Sequence, residues 1–337
     1  MCRSMDPMSG SRRSGSTRSR GSTRARCCCP STEGTVPGIV GTVDDSDVVR
    51  FDATSLGATT SGTFGLYIDG SDVGLGREPW WDSRVMELQV ITYTERSDLD
   101  DRWDETVGPA WPEFLMHDAT VNELWSHLYE IAPDHQFFVI ERDSDAVICV
   151  GNSVPFRWDG DPATLPDGID GVLPLAVEQH ADGVAPNTLC ALQAVVVTAY
   201  QGQGHAPVPV RAMADAARRA GFADLVAPVR PSWKHRYPLI PMDRYVTWSR
   251  PDGLPFDPWY RVHARAGASF LQVCEHSMRI TGTVQEWMTW TGLEFPGSGS
   301  FVIPGALVPV EIDVSRDEGV YVEPNQWMLH PIQPKGG

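Results

Sequence analysis

Apolar residues first fall into a strand-like alternation at Val85–Thr94, where Met86, Leu88, Val90 and Ile91 mark the buried side. Ser97 is placed to cap a first helix that breaks near Gly108-Pro109. Thr120-Val-Asn-Glu123 reads as a capping box, and Val121, Leu124, Trp125 and Leu128 share one face of the helix it opens. Gln136–Glu141 and Ala146–Ser153, joined by Asp143-Ser144-Asp145, form a hairpin pattern. A Pro/Gly/Asp-rich excursion, 157–186, carries a short helix at Leu173–Gln179. Thr188–Tyr200 is almost continuously apolar, as a strand covered on both faces would be. A Gly-rich loop, a helix over Pro207–Ala220 and a strand at Leu225–Val229 follow. Beyond the aromatic stretch from Trp233 to Asp257, the pattern predicts a helix at Pro258–Ala266 and strands at Thr283–Thr291 and Ala306–Val314. This order describes a mixed sheet with helices on its faces.

Composition divides the chain into three parts. Residues 1–35 hold seven arginines among Ser, Gly and Thr, and are expected to be disordered. Residues 36–83 form an N-terminal extension of uncertain structure, and the patterned domain is 84–337. The chain carries a net charge of −17 although its tail is basic, so the body repels phosphate backbones and argues against nucleic acid as a partner. No run of about 18 apolar residues is present to span a membrane, and the expected location is cytoplasmic. Cys149, Cys190 and Cys274 sit singly in apolar runs and read as reduced core thiols, and no metal-ligand spacing occurs.

The chemistry concentrates at residues 188–221. There a strand runs into Gln201-Gly202-Gln203-Gly204-His205-Ala206, and a helix starts at once. The glycines let successive amides converge, and the helix start adds free N–H groups and a positive dipole end. Together they suit a phosphate or pyrophosphate. A Walker loop would need Gly-Lys-Ser/Thr, and a dinucleotide fingerprint would need a third glycine; neither is present, although Asp224 lies at a tolerable distance for the second.

Gln201-x-x-Gly204-x-Ala206 resembles the Gln/Arg-x-x-Gly-x-Gly/Ala signature of the GCN5-related N-acetyltransferases, and the element order over 85–270 agrees with that superfamily. The resemblance implies an α/β (α+β) fold with a mixed, mostly antiparallel central sheet flanked by helices, here with an extended C-terminal β region. It implies that Gln201, Gly202, Gln203, Gly204, His205 and Ala206 hold the pyrophosphate of acetyl-CoA or another acyl-CoA. Val195, Val196 and Val197 take the place of the strand that pairs with the pantetheine arm. The reaction implied is transfer of an acetyl or short acyl group to the amine of a small molecule. His263 stands where the family's general-acid Tyr is expected, Tyr260 is its neighbour on nearly the same helix face, and Glu141 is a candidate base. The strand itself contains no carboxylate, which leaves open a non-catalytic acyl-CoA-binding domain, or a nucleotide-binding α/β domain. The C-terminal residues beyond the family core are expected to supply added strands or a homodimer surface.

Overall fold

The structure, a computed structural model, describes residues 86–102 and 106–332, and the backbone of short strands at 26–29, 32–34, 42–43, 49–50 and 66–67. The chain divides into two units, Met1–Ser83 and Arg84–Gly337. In the first, Arg26–Cys29 pairs antiparallel with Thr32–Gly34 and with Leu66–Tyr67. The rest of the expected tail, 1–35, and of the extension, 36–83, lies outside the described residues.

In the second unit, β1 (Leu88–Thr92), β2 (Gln136–Glu141) and β3 (Ala146–Phe156) form an antiparallel meander. Before β2 the chain turns through 3-10 segments, Ser97–Arg102 among them, instead of a regular first helix. Two short helices follow, α1 (Ala119–Leu124) and α2 (His127–Ile131). The cap of α1 is Asp118, whose carboxylate accepts from the Val121 amide, so the cap lies two residues before the expected Thr120.

The next helix, α3 (Gly168–Ala181), is twice the expected length and continues through Pro174. Its start depends on Gly168, which has φ +52° and sits so close to β6 (Ser269–Gly282) that an added Cβ would fall 2.4 Å from the Ser277 Cα. β4 (Thr188–Val196), α4 (Pro207–Ala220) and β5 (Asp224–Val229) make the one parallel unit of a nine-stranded sheet, with α4 as its crossover. β4 alternates between two helices. Leu189 packs with Ala212, Met213 and Ala217 of α4, whereas Cys190 packs with Val172, Leu173 and Ala176 of α3.

The C-terminal third departs most from the sequence pattern. After α5 (Met242–Tyr245) and α6 (Pro258–Arg265), the 14-residue β6 pairs antiparallel with an equally long β9 (Glu318–Pro331). Between them come α7 (Val284–Thr291), β7 (Gly299–Phe301) and β8 (Val310–Asp313). Residues 284–291 are helical rather than extended. A complete capping box joins Thr283 to Glu286, and Trp287 is buried where a full turn places it. The sheet order is β7-β8-β9-β5-β4-β3-β2-β1, with β6 on β9. No helix among the described residues is long and apolar enough to cross a membrane.

Candidate active site

The parallel pairing of β4 with β5 covers only Thr188–Cys190 against Asp224–Val226. Beyond it the strands part, and a cavity of about 890 Å³ opens between Ala191–Val196 on one wall and Ala227–Val229 on the other. Leu192 is a bulge, because Gln193 pairs with Asn152 while Ala191 pairs with the adjacent Ser153. An extra residue leaves the ladder and bends the strand there, so both Leu192 and Gln193 face open space.

The Gly-rich loop stands at one end of this cleft. Gly202 and Gly204 hold φ of +76° and +88°, with nothing near enough to touch an added Cβ, so the backbone conformation is what requires glycine. The side chains of Gln201 and Gln203 turn back onto the Val196 and Ala199 carbonyls, at 3.0 and 2.9 Å, and tie the loop to the strand end. Among the described residues, no protein acceptor takes the amides of Gly202, Gln203, Gly204, His205 or Ala206. Five consecutive free amides ahead of a 14-residue helix make a fitting cradle for a diphosphate. Val195 and Val196 line the cleft wall. Val197 does not; its amide is already given to the Ile148 carbonyl at 3.0 Å.

Asp257 fixes the far wall. Fully buried, it caps α6 through the Trp259 and Tyr260 amides and also accepts from the Ser232 and Trp233 amides and the Tyr245 hydroxyl. This carboxylate therefore ties the segment after β5 to α6, which brings Trp259, Val262 and His263 to the cleft. His263 is buried, its Nδ1 lies 2.9 Å from Nε2 of His330, and its own Nε2 has no partner. Burial, reinforced by His330, pushes His263 down to about 3, so its ring is neutral near pH 7 and is no imidazolium acid.

Tyr260 points into the core among Ala227, Val229, Met242 and Tyr245, with its hydroxyl buried and unpartnered and its pKa raised by that burial. It is not among the residues that line the cleft. Glu141 sits at the β2–β3 turn, takes the Ser144 hydroxyl, and lines neither this cavity nor the one described next.

β9 contributes residues that the sequence pattern did not single out. Tyr321–Asn325 cross the opening where β5 has diverged, with only β6 beside them. Glu323, fully buried, receives Arg230 Nε at 2.9 and 3.0 Å and the Tyr321 hydroxyl at 2.9 Å. Arg230 is therefore committed inside the cleft and is not a surface cation. Lys234 is likewise buried, donates to the Tyr237 and Leu307 carbonyls, and is pushed down to about 8 by desolvation. Gln193 Nε2 and Asn325 Oδ1 are buried without partners on the cleft. Such groups each cost about 1–3 kcal/mol until something satisfies them.

A second cavity, of about 920 Å³, lies beside the first and shares Trp111, Ile169, Leu192, Gln193 and Met278 with it. Its far side is acidic and aromatic: Asp100, Asp101 and Glu130 with Tyr93, Trp125 and Tyr129. Tyr129 donates to Asp100 at 2.9 Å and meets Tyr93 edge-on at 4.6 Å. Desolvation raises the Asp100 pKa, and the Tyr129 bond partly offsets it. The acidic run 98–101 was visible in the sequence, but nothing there linked it to a strand bulge 92 positions away.

No family model matches the chain. Over 292 residues it is 33% identical to the arginine N-acetyltransferase avaD of Aspergillus versicolor, covering 79% of this chain and 99% of that protein. Among solved structures, it is similar to the loading GNATL domain of CurA from Lyngbya majuscula (20% identity, 56% of this chain and 87% of that one, TM-score 0.43). It is also similar to the GphF GNAT-like decarboxylase in complex with isobutyryl-CoA (14% identity, 73% of this chain and all of that one, TM-score 0.42). With a relative so nearly matched from end to end, the chain belongs to the GCN5-related N-acetyltransferase superfamily and is an acyl-CoA-dependent N-acyltransferase.

Proposed function

We propose that the protein moves the acetyl group of acetyl-CoA onto an amine of arginine or of a small molecule that shares its cationic tail. The observation carrying this reading is the junction of the two cavities at Leu192 and Gln193, with the amide cradle on one side and Asp100 and Asp101 on the other. The name of the avaD relative supports the acceptor class. Carboxylates set among Tyr93, Trp125 and Tyr129 suit a flat guanidinium, which binds both carboxylates and aromatic faces.

Bound acyl-CoA supplies the thioester whose acyl carbon the amine attacks. The loop amides of Gly202–Ala206 hold its diphosphate, and the bulged segment of β4 holds the reacting end where the cavities meet. Gln193 Nε2, a free donor at that junction, is placed to meet an oxygen of either substrate. The contribution of these groups is chiefly positioning. The new C–N bond forms as the C–S bond breaks, CoA leaves as a thiolate that takes a proton from solvent, and the amine gives up its proton to solvent through the open acidic cavity. Three free buried thiols fit a reducing compartment, and we place the reaction in the cytoplasm.

The test is acceptor kinetics for Asp100→Asn and Asp101→Asn. Each is expected to raise the KM for arginine about tenfold, the size of one lost charge-assisted hydrogen bond, and to leave the KM for acetyl-CoA unchanged. A preference for neutral or acidic amines in the wild-type protein would overturn the assignment.

A further inference from the structure

Arg230 carries on the line of β5 along the wall of the cofactor cleft. Asp224 stands opposite Thr188 and Val226 opposite Cys190, so the same register, followed along the strands, sets Arg230 level with Ala194. That is the height of the bulge where the two cavities meet, and it is well short of the loop at 201–206. Two contacts hold the side chain there. Its Nη2 donates to the Gly305 carbonyl at 2.6 Å, and an added Cβ on Gly305 would fall 2.8 Å from Pro112, next to Trp111 on the shared wall. Its Nε donates to Glu323, which pairs from β9 with Met278 of β6, another residue that lines both cavities.

These bonds orient the guanidinium without using all of it. Among the described residues no acceptor takes Nη1, and 18% of the side chain stays exposed on a residue that lines the cleft. A guanidinium fixed in this way is suited to a carboxylate. Of the other basic residues there, His205 belongs to the loop, and desolvation, then Arg230, lowers the pKa of His235. The acidic cavity would repel a carboxylate, because its charged lining residues, among those described, are Asp100, Asp101 and Glu130. Between the two ends lie Trp111, Ile169, Leu192 and Met278, all apolar.

We propose that Arg230 selects the acceptor's carboxylate, so that the substrate is a basic α-amino acid with a free carboxyl group rather than a simple cationic amine. The inference rests on acyl transfer to a cationic amine at this junction. The acceptor's guanidinium lies at Asp100 and Asp101, its stem crosses the apolar residues, and its carboxylate meets Nη1 of Arg230. The α-amine, bonded to the carbon that bears the carboxylate, is thereby held beside Gln193 and the bulged segment of β4. Glu323 balances the charge of Arg230, so the contact is a short-range charge-assisted hydrogen bond, not a field that draws in every anion.

The first arm of the test uses the wild-type protein: KM for arginine, arginine amide and agmatine at saturating acetyl-CoA. Both analogues keep the guanidinium and a primary amine but lack the carboxylate, and each is expected to show a KM about tenfold or more above that of arginine. Equal KM values for the three would overturn the proposal and leave acetylation of cationic amines standing. Turnover of none of them would remove the function on which the proposal rests, and the proposal with it. The second arm is the double variant Arg230→Met with Glu323→Gln, which removes both charges so that neither is left buried alone. It is expected to keep a CoA-induced rise in Tm and to shrink the gap between agmatine and arginine from about tenfold to about one. Each substrate is compared with itself across the two proteins, so the different basicities of the amines cancel. A gap that persists in the variant would give the pair a merely structural role and refute the selection. If the double variant does not fold, the wild-type comparison decides alone.

Discussion

Replacing Gly204 by alanine probes the cradle directly, because the change adds one methyl group where there is room for it. Nothing lies within 4 Å of the new Cβ, so the cost comes from φ +88° alone, about 1–2 kcal/mol for an L-residue. The stiffer unfolded chain returns about 0.4–1 kcal/mol, which leaves a net loss of about 0–1.6 kcal/mol. Gly253 is a matched control, with φ +78°, equal space, and a place in the Arg250–Leu254 turn away from both cavities. The two variants are therefore expected to lose similar stability without ligand. With CoA they separate. A backbone leaving the left-handed region turns the Gly204 and His205 amides off their common point and loses at least one charge-assisted bond, about 1.5–3 kcal/mol or tenfold or more in affinity. At about 100 times the wild-type Kd, CoA adds about 2.7 kcal/mol; after a tenfold loss it adds about 1.4 kcal/mol. At about 2–4 °C per kcal/mol, the CoA-induced rise in Tm falls from about 5–11 °C to about 3–6 °C. Thermal unfolding with and without CoA reads the difference. Equal CoA-induced shifts in Gly204→Ala and Gly253→Ala would refute the cradle.

Asp257→Ala removes the acceptor of four amides and a hydroxyl, and chemical denaturation is expected to show a loss of about 3–5 kcal/mol. Gly168→Ala forces a side chain onto the Ser277 backbone at positive φ, and the same assay is expected to show about 2–4 kcal/mol lost. Asp170, raised to about 7 by burial and then by the neighbouring Asp118, binds a proton more tightly folded than unfolded. Stability therefore falls as pH rises from about 4 to about 7, and Asp170→Asn is expected to flatten that slope in denaturation curves across the range.

What could be read from the chain follows from how local each signal is. The strand–loop–helix unit was legible because a strand, two glycines and a proline-started helix are contiguous, so one window of residues 188–221 holds it whole. The meander was legible for the same reason, with its turn residues between apolar runs. Long strands β6 and β9 were not. Their exposed positions carry Gln272, Glu275 and Arg279, and the buried ones include Ser277, Glu323, Asn325 and Gln326, so no alternation of apolar residues marks them. Those polar groups are tolerated because they find one another: Ser277 with Asn325, and Glu323 with Arg230 and Tyr321. At 284–291 the β-branched residues and tryptophans suggested a strand, and the capping box decided for a helix. His263 was singled out because it stands where the resemblance expects a general-acid Tyr, but its buried ring partner, His330, lies 67 positions away in sequence.

Turnover of acetyl-CoA with arginine, following free thiol and the mass of the amine together, tests the proposed function most directly. One thiol released per acetylated arginine is expected, with both signals reduced by Asp101→Asn at low arginine. Thiol release without an acetylated amine, or neither signal across a panel of cationic amines, would contradict it.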